Sequence, residues 1–411
     1  MNKISRSYLT ENIVIFFFFL LVISESLGNY IWQGTGIRHI YLLSIVFFVL
    51  LNSPIKLHVN KLSFRLLFIS LIYFFVLSYY SSSINFSSFL GWTFTFFFFI
   101  IFVPISTNLN LNFKYKYVLK KIVILIFLLS LYPFLDSIIN FPIFRTSYGL
   151  FRDQSGHSSM LCVGAILSNY LHLTSKNRKW KYLIIFFVIA ILFTTMKKSI
   201  LFISIWLIFA FLPKTSFKYK IIFSLIISLS LIIVLPIIIE NVNSVLEYES
   251  NSAAEDHVRW GMYIGGLSLA ISNFPFGSGY SSFGSLFSIY DYKTGTYGLH
   301  QTYYDLGINN IADNEIKILS GKTTFLDTYY PHVFGEGGFI QLILIIILVL
   351  HILKTLKKKC HYINDLILYT TFLWITFLVF LDGITVISPE MPVFIFLFSV
   401  LPGLIIASKK I

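Results

Sequence analysis

The sequence predicts an all-α, polytopic membrane protein of about twelve transmembrane helices, with one large loop on the non-cytoplasmic side. Composition comes first: the 411 residues are 56% hydrophobic and only 12% charged, too little charge to clothe a soluble domain of this length. The 45 phenylalanines gather in runs such as Phe16–Phe19 and Phe96–Phe99, which are apolar on every side of a helix. The basic residues, finally, lie in short clusters between the apolar segments, the arrangement that orients membrane helices.

Taken in order, the apolar segments predict spans near 12–31, 38–55, 65–82, 88–106, 118–139, 157–173, 181–196, 199–213, 220–239, 332–353, 365–384 and 390–407. The first has no small-residue cleavage site after it and reads as a transmembrane helix rather than a removable leader. Nine spans over 1–239 therefore precede a large loop over 240–331, and three more follow over 332–411.

Charge fixes the expected orientation. With the N-terminus inside, the cytoplasmic segments hold 22 of the 31 basic residues and 2 of the 18 acidic ones. The outer side holds the remaining 9 basic and 16 acidic residues. This places the large loop outside and accounts for the net charge of +13 without nucleic acid as a partner. The long loop is rich in Gly and Tyr, and its aromatic content argues against disorder. Cys162 and Cys360 fall toward opposite sides and have no metal-ligand spacing.

The outer basic residues break the trend and are the candidates for chemistry. Lys197 and Lys198 form a hairpin turn, Thr194-Thr195-Met196-Lys197-Lys198-Ser199, between apolar segments of about 15 residues. Each segment spans roughly 22 Å against a hydrocarbon core of roughly 30 Å, so the turn is expected in a recess. Two adjacent lysines there either snorkel to the interface or meet an anion, a phosphate in the functional reading.

Arg145 and Arg152 flank an outer loop, and Arg259 opens an apolar stretch that ends in Asn273-Phe-Pro275-Phe-Gly277-Ser-Gly279. The planar guanidinium suits phosphate oxygens. Where the loop returns to the membrane, Asp327 stands close to Tyr329, Tyr330, His332 and Glu336. Asp327 reads equally as a general base among sugar-stacking aromatics and as the N-cap of the entering helix. His157, His300 and His332 are isolated, while Asp136, Asp382 and Glu390 read as boundary residues of helices. No Walker loop, Asp-x-Asp pair or Ser-His-Asp elbow is present, and no metal or cofactor is expected.

These segments, in this order, resemble the O-antigen polymerase and O-antigen ligase superfamily of GT-C type membrane glycosyltransferases, over about residues 145–346. Arg145-Thr-Ser-Tyr-Gly149-Leu-Phe151 looks like the family's Arg-x-x-Gly-x-Phe with one extra residue; Ser155-Gly156-His157 replaces the usual Pro-Asn. Thr195-Met-Lys197-Lys198 looks like its Thr-x-Ser-Arg turn, with lysine for arginine. Arg259 with Asn273 to Gly279 looks like Arg…Asn-Pro-x-x-Gly-x-Gly. The ligase return segment, His-Asn-x-x-Leu then Glu-x-Gly, is matched with Asp327 in place of the histidine, nine residues before Glu336.

That substitution favours polymerase over ligase within the family. The resemblance implies a polyprenyl-diphosphate oligosaccharide as donor and another as acceptor, joined with inversion and without a metal at the outer face of the cytoplasmic membrane. Asp327, Arg259 and Lys198 then become the catalytic candidates. Arg145, Arg152, Lys197, Tyr329, Tyr330, His332 and Glu336 become substrate-binding ones. A chain-length regulator is an implied partner, as is the lipid bilayer. The reading from a different class is a flippase or other lipid-saccharide transporter, which needs polar residues through the membrane centre.

Overall fold

A computed structural model of the chain describes residues 3–27, isolated positions between 41 and 77, 111, 113–139, 151, 154–194, 196–211, 263–279, 329–384 and 392–408. Those residues are mostly helical and contain no strand, apart from one isolated bridge between Leu111 and Ser408. The predicted spans at 88–106 and 220–239 lie outside them, as does most of the large loop, and the spans at 38–55 and 65–82 are represented only at scattered positions.

Among the described residues, five continuous helices precede the large loop: α1 (Lys3–Leu27), α2 (Tyr115–Ile139), α3 (Gln154–Ser175), α4 (Arg178–Phe193) and α5 (Lys197–Phe211). Within the loop region lies α6 (Tyr263–Ser272). After it come α7 (Tyr329–Tyr362), α8 (Leu366–Asp382), α9 (Pro392–Ile395), a π-helical turn (Phe396–Val400) and α10 (Leu401–Ala407). Among the described residues, two helical segments, Tyr115–Ile139 and Val333–Tyr362, are long and apolar enough to cross a membrane.

Local chemistry explains the breaks between helices. Between α3 and α4 the chain turns through Lys176 at φ 55°, and the Asn177 side chain then accepts the Lys179 N–H at 3.0 Å as N-cap. Between α7 and α8 the same device recurs: Asn364 has φ 56°, and Asp365 accepts the Leu368 N–H at 3.2 Å. The π-helical turn precedes Pro402, which has no N–H and whose ring would press on the carbonyl four residues back. A one-residue slip, with the Leu401 N–H bonded to the Phe396 carbonyl, absorbs that clash.

The centre of the packing is α3, which touches α2, α4, α5 and α8. Its residues from Ser155 to Ser168 are all buried, so this helix carries serines and a histidine inside the packing. Gly164 lets α4 approach closely: a Cβ there would come within 2.7 Å of the Phe187 ring. On α7, by contrast, Ile343, Ile346, Ile347 and Leu350 form an exposed apolar stripe at helical spacing.

The antiparallel helices gather polar groups at two poles. At one pole Asp365 receives the hydroxyls of Tyr170 at 2.6 Å and Tyr115 at 3.2 Å, and the Lys116 ammonium lies 4.0 Å away. Glu11 of α1 accepts the Lys114 N–H at 2.8 Å near the same end of α2. At the other pole meet the N-terminal ends of α3, α5 and α7 and the C-terminal end of α8. The Tyr329 N–H, for example, donates to the Gly383 carbonyl at 3.2 Å.

Candidate functional site

This second pole holds the described members of the predicted site. Lys197 and Lys198 open α5, with three residues between its start and the end of α4 at Phe193, so the predicted turn lies between two helices. Lys197 is exposed, whereas Lys198 turns inward and forms an ion pair with Asp382, the last residue of α8. The Asp382 side chain is 2% exposed and also accepts the Ser159 hydroxyl at 2.8 Å. Ser158 exchanges a 2.8 Å hydrogen bond with Ser199, and the Gln154 amide donates to the Thr194 carbonyl. The first turns of α3 thus lie directly against the lysine turn.

The anion that meets Lys198 inside the protein is a carboxylate that sequence reading had assigned to a helix boundary. A one-dimensional signal did exist. Asp382 closes a 17-residue apolar helix, and the alternation of spans puts it at the same end as Lys198.

The return segment forms the second half of the site. Tyr329 is buried and Tyr330 half-buried; Tyr330 donates to the Phe380 carbonyl at 2.8 Å. Burial pushes its phenol up to about 12, so it is a neutral hydroxyl near pH 7. Glu336 is buried within α7, just before Gly338 breaks the helix with φ 68° and ψ −173°.

The break is filled by the predicted glycine turn from the far side of the loop. The Ser278 N–H donates to the Gly335 carbonyl at 2.8 Å, and the Gly279 N–H to the Glu336 carbonyl at 2.9 Å. The Ser278 hydroxyl adds a 3.0 Å bond to Gly335. Both partners must be glycine for the backbones to come this close. Gly277 has φ 72°, and a Cβ on it would lie 2.5 Å from the Gly338 nitrogen; a Cβ on Gly338 would lie 2.2 Å from the Pro275 carbonyl oxygen.

Two residues that sequence reading missed complete this junction. Tyr73 stacks on Phe276 and donates to the Gly337 carbonyl. Gln341, fully buried one turn beyond the break, has its amide folded back against Gly337, and neither amide atom finds a hydrogen-bond partner among the described residues. A polar residue inside an apolar run was the available signal for Gln341; nothing local marked Tyr73.

The structure therefore brings together Lys197, Lys198, Tyr329, Tyr330, Glu336 and the Asn273–Gly279 turn. Arg145, Arg152, Arg259 and Asp327 lie outside the described residues, as does the side chain of His332. Tyr263 of α6 ties the segment after Arg259 to this pole, its hydroxyl donating to the Ile384 carbonyl at 2.8 Å. Among the described residues, no group of three or more His, Cys, Asp or Glu side chains is arranged to hold a metal ion. Compared with known proteins, the sequence matches no family model and no curated protein.

Proposed function

We propose that the protein is a multi-pass enzyme of the cytoplasmic membrane that polymerises polyprenyl-diphosphate-linked oligosaccharides at the outer face, as in O-antigen or capsule synthesis. Its twelve helices form a GT-C-like bundle, and its large loop faces the periplasm or exterior. One observation carries the reading. Three segments that are far apart in sequence and match the family's motifs in order converge on one pole: the lysine turn, the Asn273–Gly279 turn and the Tyr329–Glu336 return. The exposed apolar stripe of α7 supports membrane residence.

In this reaction the acceptor hydroxyl oxygen bonds to the anomeric carbon of the donor sugar from the face opposite the diphosphate. The bond to the diphosphate oxygen breaks, and polyprenyl diphosphate leaves with the electron pair. Lys198 and Arg259 stabilise the charge that develops there, with Arg145, Arg152 and Lys197 in support. Asp327 takes the acceptor proton or orients its hydroxyl. Tyr329 and Tyr330 flank the entry to α7, beside that carboxylate in sequence.

Reconstitution tests the reading. Purified protein in liposomes, given a polyprenyl-diphosphate repeat unit, should yield a ladder of longer lipid-linked products. A single transfer to a terminal acceptor without a ladder would identify a ligase. Movement of the saccharide across the bilayer without a new glycosidic bond would identify a transporter.

A further inference from the structure

We propose that the paired starts of α2 and α4 form a headgroup site for an anionic glycerophospholipid. Lys121 and Arg178 hold the phosphate, and the acyl chains lie along the two helices. The inference needs the chain to reside in a membrane and does not depend on glycosyl transfer.

Three ring contacts fix how α2 and α4 pack. The Lys120 ammonium lies 5.9 Å from the centre of the Trp180 ring. Phe127 meets Phe186 at 4.8 Å, and Phe134 meets Phe193 at 5.6 Å. The contacts advance along both helices in the same direction, so the two run parallel and begin at the same end. A helix turns by about 100° per residue. On α2 the exposed Lys121, Ile124, Leu128 and Leu135 therefore lie about a quarter turn to one side of the contact ridge. On α4 the exposed Arg178, Ile185 and Ile189 lie about a quarter turn to the opposite side of Phe186. In parallel neighbours these opposite rotations point the same way. The two stripes thus form one surface, with the α2–α4 seam down its middle.

Each stripe is apolar along its length and ends in a cation at the shared end. Lys121 lies 5.6 Å from the Tyr117 ring centre, and Trp180 and the exposed Tyr182 stand at the same level of α4. Amphipathic rings of this kind settle at the depth of lipid headgroups, where the phosphates are. Among the described residues, no carboxylate pairs with Lys120, Lys121 or Arg178. Asp365 is taken by Lys116, Tyr115 and Tyr170, and Glu11 accepts from the Lys114 backbone. Charge that merely orients helices need only lie on one side of the membrane. Here it heads two adjacent apolar stripes, which is the shape of a phospholipid: an anion joined to two hydrocarbon chains. Arg178 offers a two-oxygen fork and Lys121 a mobile point charge to the same phosphate.

The test follows the melting temperature of the full chain in neutral detergent during titration with phosphatidylglycerol. Phosphatidylglycerol should raise it saturably, and phosphatidylcholine should not. Lys121→Gln with Arg178→Gln should raise the half-saturating concentration about thirtyfold, the effect of losing two basic contacts to an anionic headgroup. Lys121→Arg should bind as the parent does. Lys354→Gln with Lys358→Gln removes the same charge from the end of α7 and should shift the midpoint less than threefold. Equal weakening by the two double variants would reduce the site to diffuse charge and overturn it. Equal stabilisation by phosphatidylcholine would overturn the role of the phosphate. Displacement of phosphatidylglycerol by a tenfold lower concentration of farnesyl diphosphate would make the occupant a polyprenyl carrier instead. A polymer ladder, present or absent, decides the transferase reading and leaves this site untouched.

Discussion

The Lys198 ammonium, at the start of α5, is paired with the Asp382 carboxylate, at the end of α8, in a contact that reaches across nearly half the chain. The carboxylate is buried and the lysine side chain is 20% exposed. Removing one partner of such a pair costs about 3–5 kcal/mol, whereas replacing both with apolar groups is close to neutral. Asp382→Leu and Lys198→Met should therefore each lower thermal stability in detergent sharply, and the double variant should recover most of it. The double variant should still fail to polymerise, which separates the site's chemistry from its architecture. Additive losses in the double variant would show that the pair is not coupled.

The glycine junction predicts a different outcome. Gly277→Ala and Gly338→Ala each place a Cβ on a backbone with positive φ and within 2.5 Å of the opposing chain. The left-handed conformation alone costs roughly 1–2 kcal/mol, and the overlap adds to it. Both variants should accumulate poorly in membranes or melt early by fluorescence-detected chromatography, and neither should be rescued by the other. Wild-type behaviour of either would mean that the turn does not dock on the broken helix.

At the α3–α4 contact, Gly164→Ala forces a methyl to within 2.7 Å of the Phe187 ring. Such overpacking typically costs about 1–3 kcal/mol. Trimming the ring with Phe187→Leu should restore the melting temperature of Gly164→Ala while lowering that of the parent. A double variant no better than Gly164→Ala alone would place the conflict elsewhere.

Orientation is open to direct labelling. Cys162 and Cys360 are free and buried, so the parent should react slowly with thiol reagents. Cysteine at Ser250 or Lys317 should react in intact cells with an impermeant maleimide. Labelling only after lysis would invert the topology read from the charge distribution.

Asp327→Asn keeps the shape and capping capacity of the side chain and removes its charge. As general base, its loss should slow polymerisation by about 10²–10⁴ in a purified assay, with donor affinity unchanged. A rate within a few-fold of the parent would reduce Asp327 to a helix cap and direct attention to Glu336.

Much of the fold was legible because long apolar helices advertise themselves by length and composition. Every predicted span whose residues the structure describes continuously coincides with a helix, and the turn at Lys197 falls where charge interrupts the apolar run. The Asn273–Gly279 and Glu336–Gly338 segments also stood out, since glycines and a carboxylate are conspicuous beside apolar sequence. Their mutual docking did not, because no periodicity encodes a backbone-to-backbone contact made through positive-φ glycines. Asp382 was hidden for a related reason: an aspartate closing a helix has an ordinary local explanation, and only the packing of α8 on α3 reveals its partner. The serines of α3 were readable in principle, as polar residues in a span mark a helix enclosed by others.

The hydrogen bonds from Ser278 and Gly279 to α7 also bear on how the polypeptide is wired. They hold Ser278 and Gly279 against Gly335 and Glu336, so the chain on either side of 280–328 is joined by the protein itself and not only by the intervening residues. Covalent continuity through that excursion is then a matter of loop-closure entropy, which grows only slowly with length. A chain severed within 280–328, or expressed as two fragments meeting there, retains the contacts that join its halves, so the bundle becomes accessible to split-protein and circularly permuted designs.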